Sequence, residues 1–391
     1  GTFSSGKQSM ERWLRLVIES IHSSPVESVV YISGGASQAL GWLMSIPGAS
    51  NTILEAVIPY SRMSFVQLIG KTPSQFCSIK TTEDLALLAY NRALTLSSPG
   101  ASVIGVGFTG SLATSRPILG DHRFHLSTRS SDKQWASTVT LSKGLRTREQ
   151  EDALSSQFLI KAIANACNVK APSSITLTES DALYEHKVSF TEDEELEQLI
   201  KGEIRYKVYS FSGEIPRKSR KLILPGSFNP LHDGHLKLLE IAATVCADCD
   251  PCFEISAINA DKPPLAVSQI KERVSQFERV GKTVIVSNRP YFYEKAELFP
   301  GSAFVIGADT VARLINPKYY GGEVKKMEET LLRCKKTGCL FLVGGRDVGG
   351  EFKMLDDFDV PHTLKEMFVP IPSGTFRMDI SSTQIRNANG L

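Results

Sequence analysis

Apolar positions recur at helical spacing early in the chain. Leu14, Val17, Ile18 and Ile21 form an i, i+3, i+4, i+7 stripe, which predicts an amphipathic helix over residues 10–22. The run Ser-Val-Val-Tyr-Ile at 28–32 predicts a strand that meets Gly34-Gly35. Leu68 and Ile69 precede Gly70 and Pro73, a helix stop. Thr82 opens a further helix carrying Leu85, Leu87, Leu88 and Ala93. Residues 102–108 predict a buried strand and 147–167 another helix. Residues 1–170 therefore mix strands and helices as α/β units do. Residues 171–220 break the pattern, with an acidic run at 192–195 and a basic run from Pro216 to Arg220. They predict a solvated linker holding one short helix and a hairpin. From 221 to 391 the order is strand, turn, helix, strand. Leu222-Ile223-Leu224 is a strand, Leu238, Ile241, Ala242 and Val245 form a helical stripe, and residues 253–258 are the next strand. Later strands are predicted at 284–286, 304–306 and 340–343. Such alternation implies a parallel sheet whose ligand site lies at the strands' C-terminal ends.

Composition narrows the partners. The chain has 391 residues, with 42% apolar and 22% charged, the mix of an ordinary folded protein. Lys+Arg number 44 against 42 Asp+Glu, a net charge of +2. So small an excess excludes a dedicated nucleic-acid binder but leaves room for a local phosphate site. No stretch approaches the ~20 apolar residues of a membrane span. Seven cysteines without a framework spacing fit a reducing, cytoplasmic setting.

The chemistry concentrates in Gly226-Ser227-Phe228-Asn229-Pro230-Leu231-His232-Asp233-Gly234-His235. A strand ends at Pro225 and a helix begins near Gly234. Gly226 admits close backbone approach to a ligand, and Pro230 fixes the turn ahead of the helix. His232 and His235, three apart, share a face of the first helical turn. That is the helix end whose N–H groups attract anions. Two imidazoles there would donate to the non-bridging oxygens of a phosphate as phosphorus becomes five-coordinate.

This segment resembles the nucleotidyltransferase superfamily marked by (H/T)xGH. The family's second signature is matched by Ile380-Ser381-Ser382-Thr383-Gln384-Ile385-Arg386. There Ser381 and Gln384 fit a capping box at a helix start, and Ser382, Thr383 and Arg386 add two hydroxyls and a cation suited to pyrophosphate. The resemblance implies a Rossmann-like fold and attack by a phosphate monoester on the α-phosphorus of a nucleoside triphosphate carried with Mg²⁺. No covalent nucleophile is implied, and no protein metal ligand. His232 and His235 would hold the α- and β-phosphates, and Arg386 with Ser382 and Thr383 the leaving pyrophosphate. Lys262 is similar to the family's mobile, triphosphate-neutralising Lys. Residues 305–310, with Gly307 and Asp309, and residues 343–346, with Arg346, are similar to the nicotinamide/nicotinate mononucleotide adenylyltransferases. Asp309 would contact ribose or base. The expected substrates are ATP and nicotinamide or nicotinic acid mononucleotide. Transfer to another phosphomonoester, from ATP or CTP, is the alternative, and a non-catalytic nucleotide sensor the reading from another class.

The first half is similar to the C-terminal domain of the CinA family, through Ser33-Gly34-Gly35, residues 46–50, Tyr60-Ser61 and Leu68-Ile69-Gly70. Active members deamidate nicotinamide mononucleotide with a Ser, a Tyr and a Lys. Here the Ser position is Tyr31 and the Lys position Phe65, while Tyr60 is retained. Nucleophilic hydrolysis needs both missing groups, so this domain is expected to be inactive. It would serve as a scaffold or dimerisation domain, or as a pocket that binds without turnover. Both resemblances imply a homo-oligomer. Cys246, Cys249 and Cys252 could begin a zinc site, but with no fourth ligand nearby they fit buried core thiols better.

Overall fold

A computed structural model of the chain describes residues 10–171, 175–213 and 220–372. It forms two units, one holding residues 10–97 and 101–192 and the other residues 98–100 and 193–372. Both are mixed α/β, as the sequence pattern predicts.

The first unit runs α1 (Arg12–Ser23), β1 (Val26–Ser33), α2 (Ser37–Ser45), β2 (Ile53–Val57), α3 (Arg62–Ile69), α4 (Ile79–Leu96), β3 (Ser102–Ser111), β4 (His122–Arg129), β5 (Lys133–Leu141), α5 (Arg148–Ala166) and β6 (Ala182–Ser189). Its sheet has the order β2-β1-β3-β4-β5-β6. β1, β2 and β3 are parallel, while β3 to β6 are antiparallel neighbours. The predicted stripe of α1 is buried as expected, against β1, Phe124 and Phe158 in one core.

β4 and β5 have no counterpart among the predicted strands, while β6 falls in the segment where a hairpin is expected. β4 carries His122, His125, Ser127 and Arg129, all buried. Hydrogen bonds satisfy these polar groups in place: His125 Nδ1 with Thr138 Oγ1 at 2.7 Å, and Ser127 Oγ to the Trp135 carbonyl at 2.8 Å. A strand built this way does not alternate in hydropathy, so the period-2 signal disappears.

The second unit runs α6 (Glu192–Ile200), β7 (Tyr206–Ser210), β8 (Arg220–Pro225), α7 (Asp233–Val245), β9 (Cys249–Ser256), α8 (Val267–Val280), β10 (Thr283–Ser287), α9 (Phe292–Leu298), β11 (Ala303–Gly307), α10 (Ala308–Leu314), α11 (Val324–Lys336), β12 (Leu340–Gly344), β13 (Arg346–Val348), β14 (Glu351–Lys353) and β15 (Phe368–Pro370). The main sheet has the order β15-β12-β11-β8-β9-β10-β7. Every pairing in it is parallel except that of β7 with β10. β11 and β12 are continuous apolar runs, β8 carries Leu222-Ile223-Leu224 after two cations, and all three are buried along nearly their whole length, as strands covered on both faces must be.

The segment expected as a linker over 171–220 is instead shared between the sheets. β6 extends the first, while α6 and β7 belong to the second. The acidic run opens α6, where Leu196 and Leu199 are buried and Lys207 pairs with Glu195 at 2.7 Å. The short helix expected there is present, but it is packed rather than solvated, with Glu195 and both leucines buried.

Candidate active site

β8 leads through α7 to β9 on one side of it, whereas β11 lies on its other side and leads on to β12. The crevice beyond the C-terminal ends of β8 and β11 is therefore the topological switch point, where open α/β sheets bind ligands. β11 pairs with β8 through Ala303↔Leu222 and Phe304↔Ile223. Carrying that register on sets Gly307 level with Gly226, so both glycines lie at the mouth of the crevice.

The loop from Gly226 to Leu231 is anchored by Phe228. Its ring is buried and meets Phe253 at 5.4 Å, Phe277 at 5.3 Å and His235 at 4.9 Å between centroids, edge to face each time. Phe228 has φ +47°, a left-handed conformation that costs a non-glycine residue energy. A Cβ on Gly226 would lie 2.9 Å from the Phe228 ring, so glycine at 226 lets the ring fold back. Phe228 thus supports His235 from the core side, and Gly226, Ser227 and Asn229 are the exposed members of the loop.

The helix α8 holds this loop in place. Gln276 Nε2 donates to the Phe228 carbonyl at 2.8 Å, and its Oε1 accepts from Leu231 N–H at 2.8 Å. Arg273 Nη1 donates to the Ser227 carbonyl at 3.2 Å. Sequence reasoning missed both residues. Gln276 and Arg273 look like ordinary polar positions of an amphipathic helix, and no local signal marks them.

His232 is the N-cap residue of α7, and His235 is its third helical residue, as the motif spacing predicts. The backbone N–H of His232 donates to His235 Nδ1 at 3.2 Å. In the neutral ring the proton must therefore sit on Nε2, which becomes a donor. The two rings stack at 3.6 Å between centroids. Burial, then the neighbouring His232 and Arg346, push the His235 pKa down to about 3. Burial also lowers His232, with Asp233 opposing and Arg346 assisting. Among the described residues, His232 Nε2 is buried without a hydrogen-bond partner.

Across the crevice, Gly307 is the N-cap residue of α10, and Asp309 and Arg346 face one another with Oδ1 and Nε 3.7 Å apart. A side chain on Gly307 would run into Asp309 Oδ1 and reach 3.2 Å from Arg346 Cδ. Among the described residues Asp309 Oδ1 is buried and makes no hydrogen bond, with Arg346 as its ionic neighbour. The structure thus brings together Gly226, Ser227, Phe228, His232, Gly234, His235, Gly307, Asp309 and Arg346. Lys262 is exposed on the loop after β9, which Leu265 N–H closes onto the Ala257 carbonyl at 2.9 Å. Ser381, Ser382, Thr383 and Arg386 lie outside the described residues.

At the far end of α7, Cys246 and Cys249 are joined as a disulfide, and Cys252 is buried on β9. The expectation of free thiols there is corrected for two of the three. With Asp248 they are the group among the described residues arranged to hold a metal, but paired sulfurs offer no thiolate.

In the first unit, Gly34, Gly35 and Tyr60 line a cavity of about 410 Å³ with Arg148 and Asp152. Tyr31 is buried in β1, its phenol pushed up to about 12 by burial, then by Glu55, with Arg92 opposing. Phe65 is buried against Phe76 at 5.3 Å. Neither position supplies a nucleophile or a proton carrier.

Among the described residues no helix is long and apolar enough to cross a membrane. No curated protein sequence matches the chain. The chain is similar to the crystal structure of a competence/damage-inducible protein from Agrobacterium tumefaciens. That match has 14% identity and a TM-score of 0.32, over 40% of this chain and 97% of the other. It is also similar to a CinA-superfamily protein from Enterobacter cloacae, with 9% identity and a TM-score of 0.34, over 43% of this chain and 99% of the other. Residues 223–388 match the cytidylyltransferase-like family, and the second unit accordingly carries a nucleotidyltransferase-like domain.

Proposed function

We propose that the second unit transfers an adenylyl group from ATP to nicotinamide or nicotinic acid mononucleotide, giving a dinucleotide and pyrophosphate. The observation that carries the reading is the pair of stacked, neutral imidazoles on the first turn of α7, opposite Asp309 and Arg346. The acceptor's phosphate oxygen attacks the α-phosphorus, a P–O bond forms, and the α–β bridging bond breaks with its electron pair leaving on pyrophosphate. His235 Nε2–H, and His232 beside it, donate to the non-bridging oxygens as charge accumulates. Arg346 adds a fixed positive charge on the opposite wall, and the Asp309 oxygen beside it accepts from ribose hydroxyls or base. Mg²⁺ enters with the triphosphate as part of the substrate. Lys262 reaches the triphosphate from its exposed loop, and Ser381, Ser382, Thr383 and Arg386 hold the departing pyrophosphate. Alignment and electrostatics supply the catalysis, with no covalent intermediate.

The family match favours a second reading, cytidylyl transfer from CTP to another phosphomonoester. The test is pyrophosphate release with Mg²⁺ and ATP or CTP against both mononucleotides and a panel of other phosphomonoesters. Release with ATP and a mononucleotide, lost in His235→Ala, supports the first reading. Release only with CTP or only with other acceptors replaces it.

A further inference from the structure

The sheet of the first unit ends at β6. Every residue of that strand is exposed except His186, which is partly buried. One edge of β6 pairs with β5, from Lys133↔Ser189 to Thr140↔Ala182. No strand among the described residues takes the other edge. Such an edge is a template for another strand, and folds commonly blunt it with a proline, a bulge or a very short strand. β6 uses none of these. It is eight residues long, has no proline and pairs with β5 residue for residue. It also exposes Leu183, Tyr184 and Val188.

The order of residues along β6 selects the partner. Alternate residues face opposite sides of a sheet. Tyr184, His186 and Val188 therefore share one face, where the His186 ring meets Tyr184 at 5.8 Å between centroids and its Nε2 lies 3.9 Å from Glu83 Oε1. Leu183, Glu185 and Lys187 share the other, where Trp135 Nε1 donates to Glu185 Oε2 at 3.2 Å. Two copies of β6 can pair antiparallel across a two-fold axis normal to the sheet. One residue then stands opposite its own copy, and each face stays on its own side. With His186 at the centre, Glu185 stands opposite the partner's Lys187 and Tyr184 opposite the partner's Val188, and symmetry makes each pair twice. Opposite charges and aromatic–β-branched neighbours are pairs that stabilise a sheet. An axis at Glu185 or at Lys187 would instead set like charges against each other.

We infer that β6 is the docking edge for a second copy of this chain, the two strands joining antiparallel about His186 so that two six-stranded sheets become one. Main-chain hydrogen bonds between the edges supply affinity, and the Glu185–Lys187 pairs fix the register. The homo-oligomer expected from the sequence had no surface attached to it, and β6 provides one. The contact uses none of the groups assigned to nucleotidyl transfer, so it stands or falls independently of that reading.

The experiment is sedimentation equilibrium of the full-length protein at low salt. Wild type should form a dimer. Glu185→Lys and Lys187→Glu each turn both opposite-charge pairs into like-charge pairs, so each alone should weaken the dimer about 10- to 100-fold. An equal mixture of the two variants should dimerise again, because every lysine then faces a glutamate across the contact. The double variant, Glu185→Lys with Lys187→Glu, should recover for the same reason. Recovery on mixing also shows that both single variants are folded. A wild-type chain that stays monomeric up to its solubility limit overturns the inference. So does a dimer that both single variants retain, which places the contact elsewhere. Single variants that lose the dimer and do not regain it on mixing overturn the pairing about His186.

Discussion

Replacing Gln276 with leucine removes both hydrogen bonds that hold the Phe228–Leu231 loop, at 2.8 Å each. The Phe228 carbonyl and Leu231 N–H then lose their partner on a half-buried face. A hydrogen bond is worth about 1 kcal/mol net, and a buried group left unpaired costs about 1–3 kcal/mol. The expected loss of stability is therefore about 2–4 kcal/mol. The functional loss follows from position: Leu231 directly precedes His232, so a freed loop lets both imidazoles drift. A misplacement of ~1 Å at reacting groups costs about a hundredfold in rate. Pyrophosphate release should fall about 10- to 100-fold in kcat, with KM for the triphosphate changed far less. Gln276→Glu should fall between wild type and leucine, because it keeps the acceptor for Leu231 N–H but sets a carboxylate against the Phe228 carbonyl. Urea unfolding and initial-rate kinetics on the same preparations separate the two effects. A leucine variant that loses stability yet keeps kcat would refute the idea that α8 positions the histidines.

His235→Ala should abolish pyrophosphate release, and because its ring packs on Phe228 and His232 it should also cost about 1 kcal/mol in urea unfolding; turnover within tenfold of wild type would remove His235 from the mechanism. Lys295 reaches both oxygens of the wholly buried Glu254, at 2.5 and 2.7 Å, so Lys295→Met alone should destabilise by about 3–5 kcal/mol and Lys295→Met with Glu254→Leu by less, as read from urea midpoints. His235 titrates at about 3 and His125 at about 4, burial being the first cause of each. Between these values and the ordinary ~6.5 the unfolded chain takes up protons that the fold refuses. Stability should therefore be full above about pH 6.5 and fall as pH drops toward 3. His235→Gln with His125→Gln should flatten that slope, and an unchanged slope would contradict it. Purified protein should release no ammonia from nicotinamide mononucleotide, because Tyr31 is a buried phenol and Phe65 cannot carry a proton; release that survives Tyr31→Phe would show a different nucleophile at work.

What the sequence made legible is local. The strand ending at Pro225, the turn and the histidines on the first turn of α7 follow one another along the chain, so their chemistry and spacing could be read directly. Gly307, Asp309 and Arg346 were legible as motifs, but their convergence on the same crevice depends on strand order. Gln276 was not legible: a glutamine on a helix face differs from a solvated one only by what stands opposite it. β4 escaped for the converse reason, since His125 and Ser127 are buried yet satisfied by partners on β5. Periodicity sees hydropathy, not satisfaction. The Cys246–Cys249 pair was not anticipated because the three cysteines were weighed only as zinc ligands or core thiols, whereas pairing depends on how closely the end of α7 approaches the start of β9.

His232 Nε2 and Asp309 Oδ1 are both buried, and among the described residues neither makes a hydrogen bond; such a group costs a folded protein about 1–3 kcal/mol. The two atoms have complementary needs. The neutral imidazole can offer a proton to an anion, while the carboxylate oxygen can accept one from a hydroxyl or an exocyclic amine. A nucleotide carries both kinds of group, with phosphates at one end and ribose and base at the other. One ligand spanning the crevice from α7 to α10 would satisfy both atoms together, so the destabilisation of the free protein becomes affinity on binding. If so, ATP should raise the thermal midpoint of the wild-type protein more than that of His232→Leu or Asp309→Leu. Each of these variants should also be more stable than wild type without ligand. A leucine variant destabilised in the free state would mean that its polar atom was not an unmet cost, and the argument would fail.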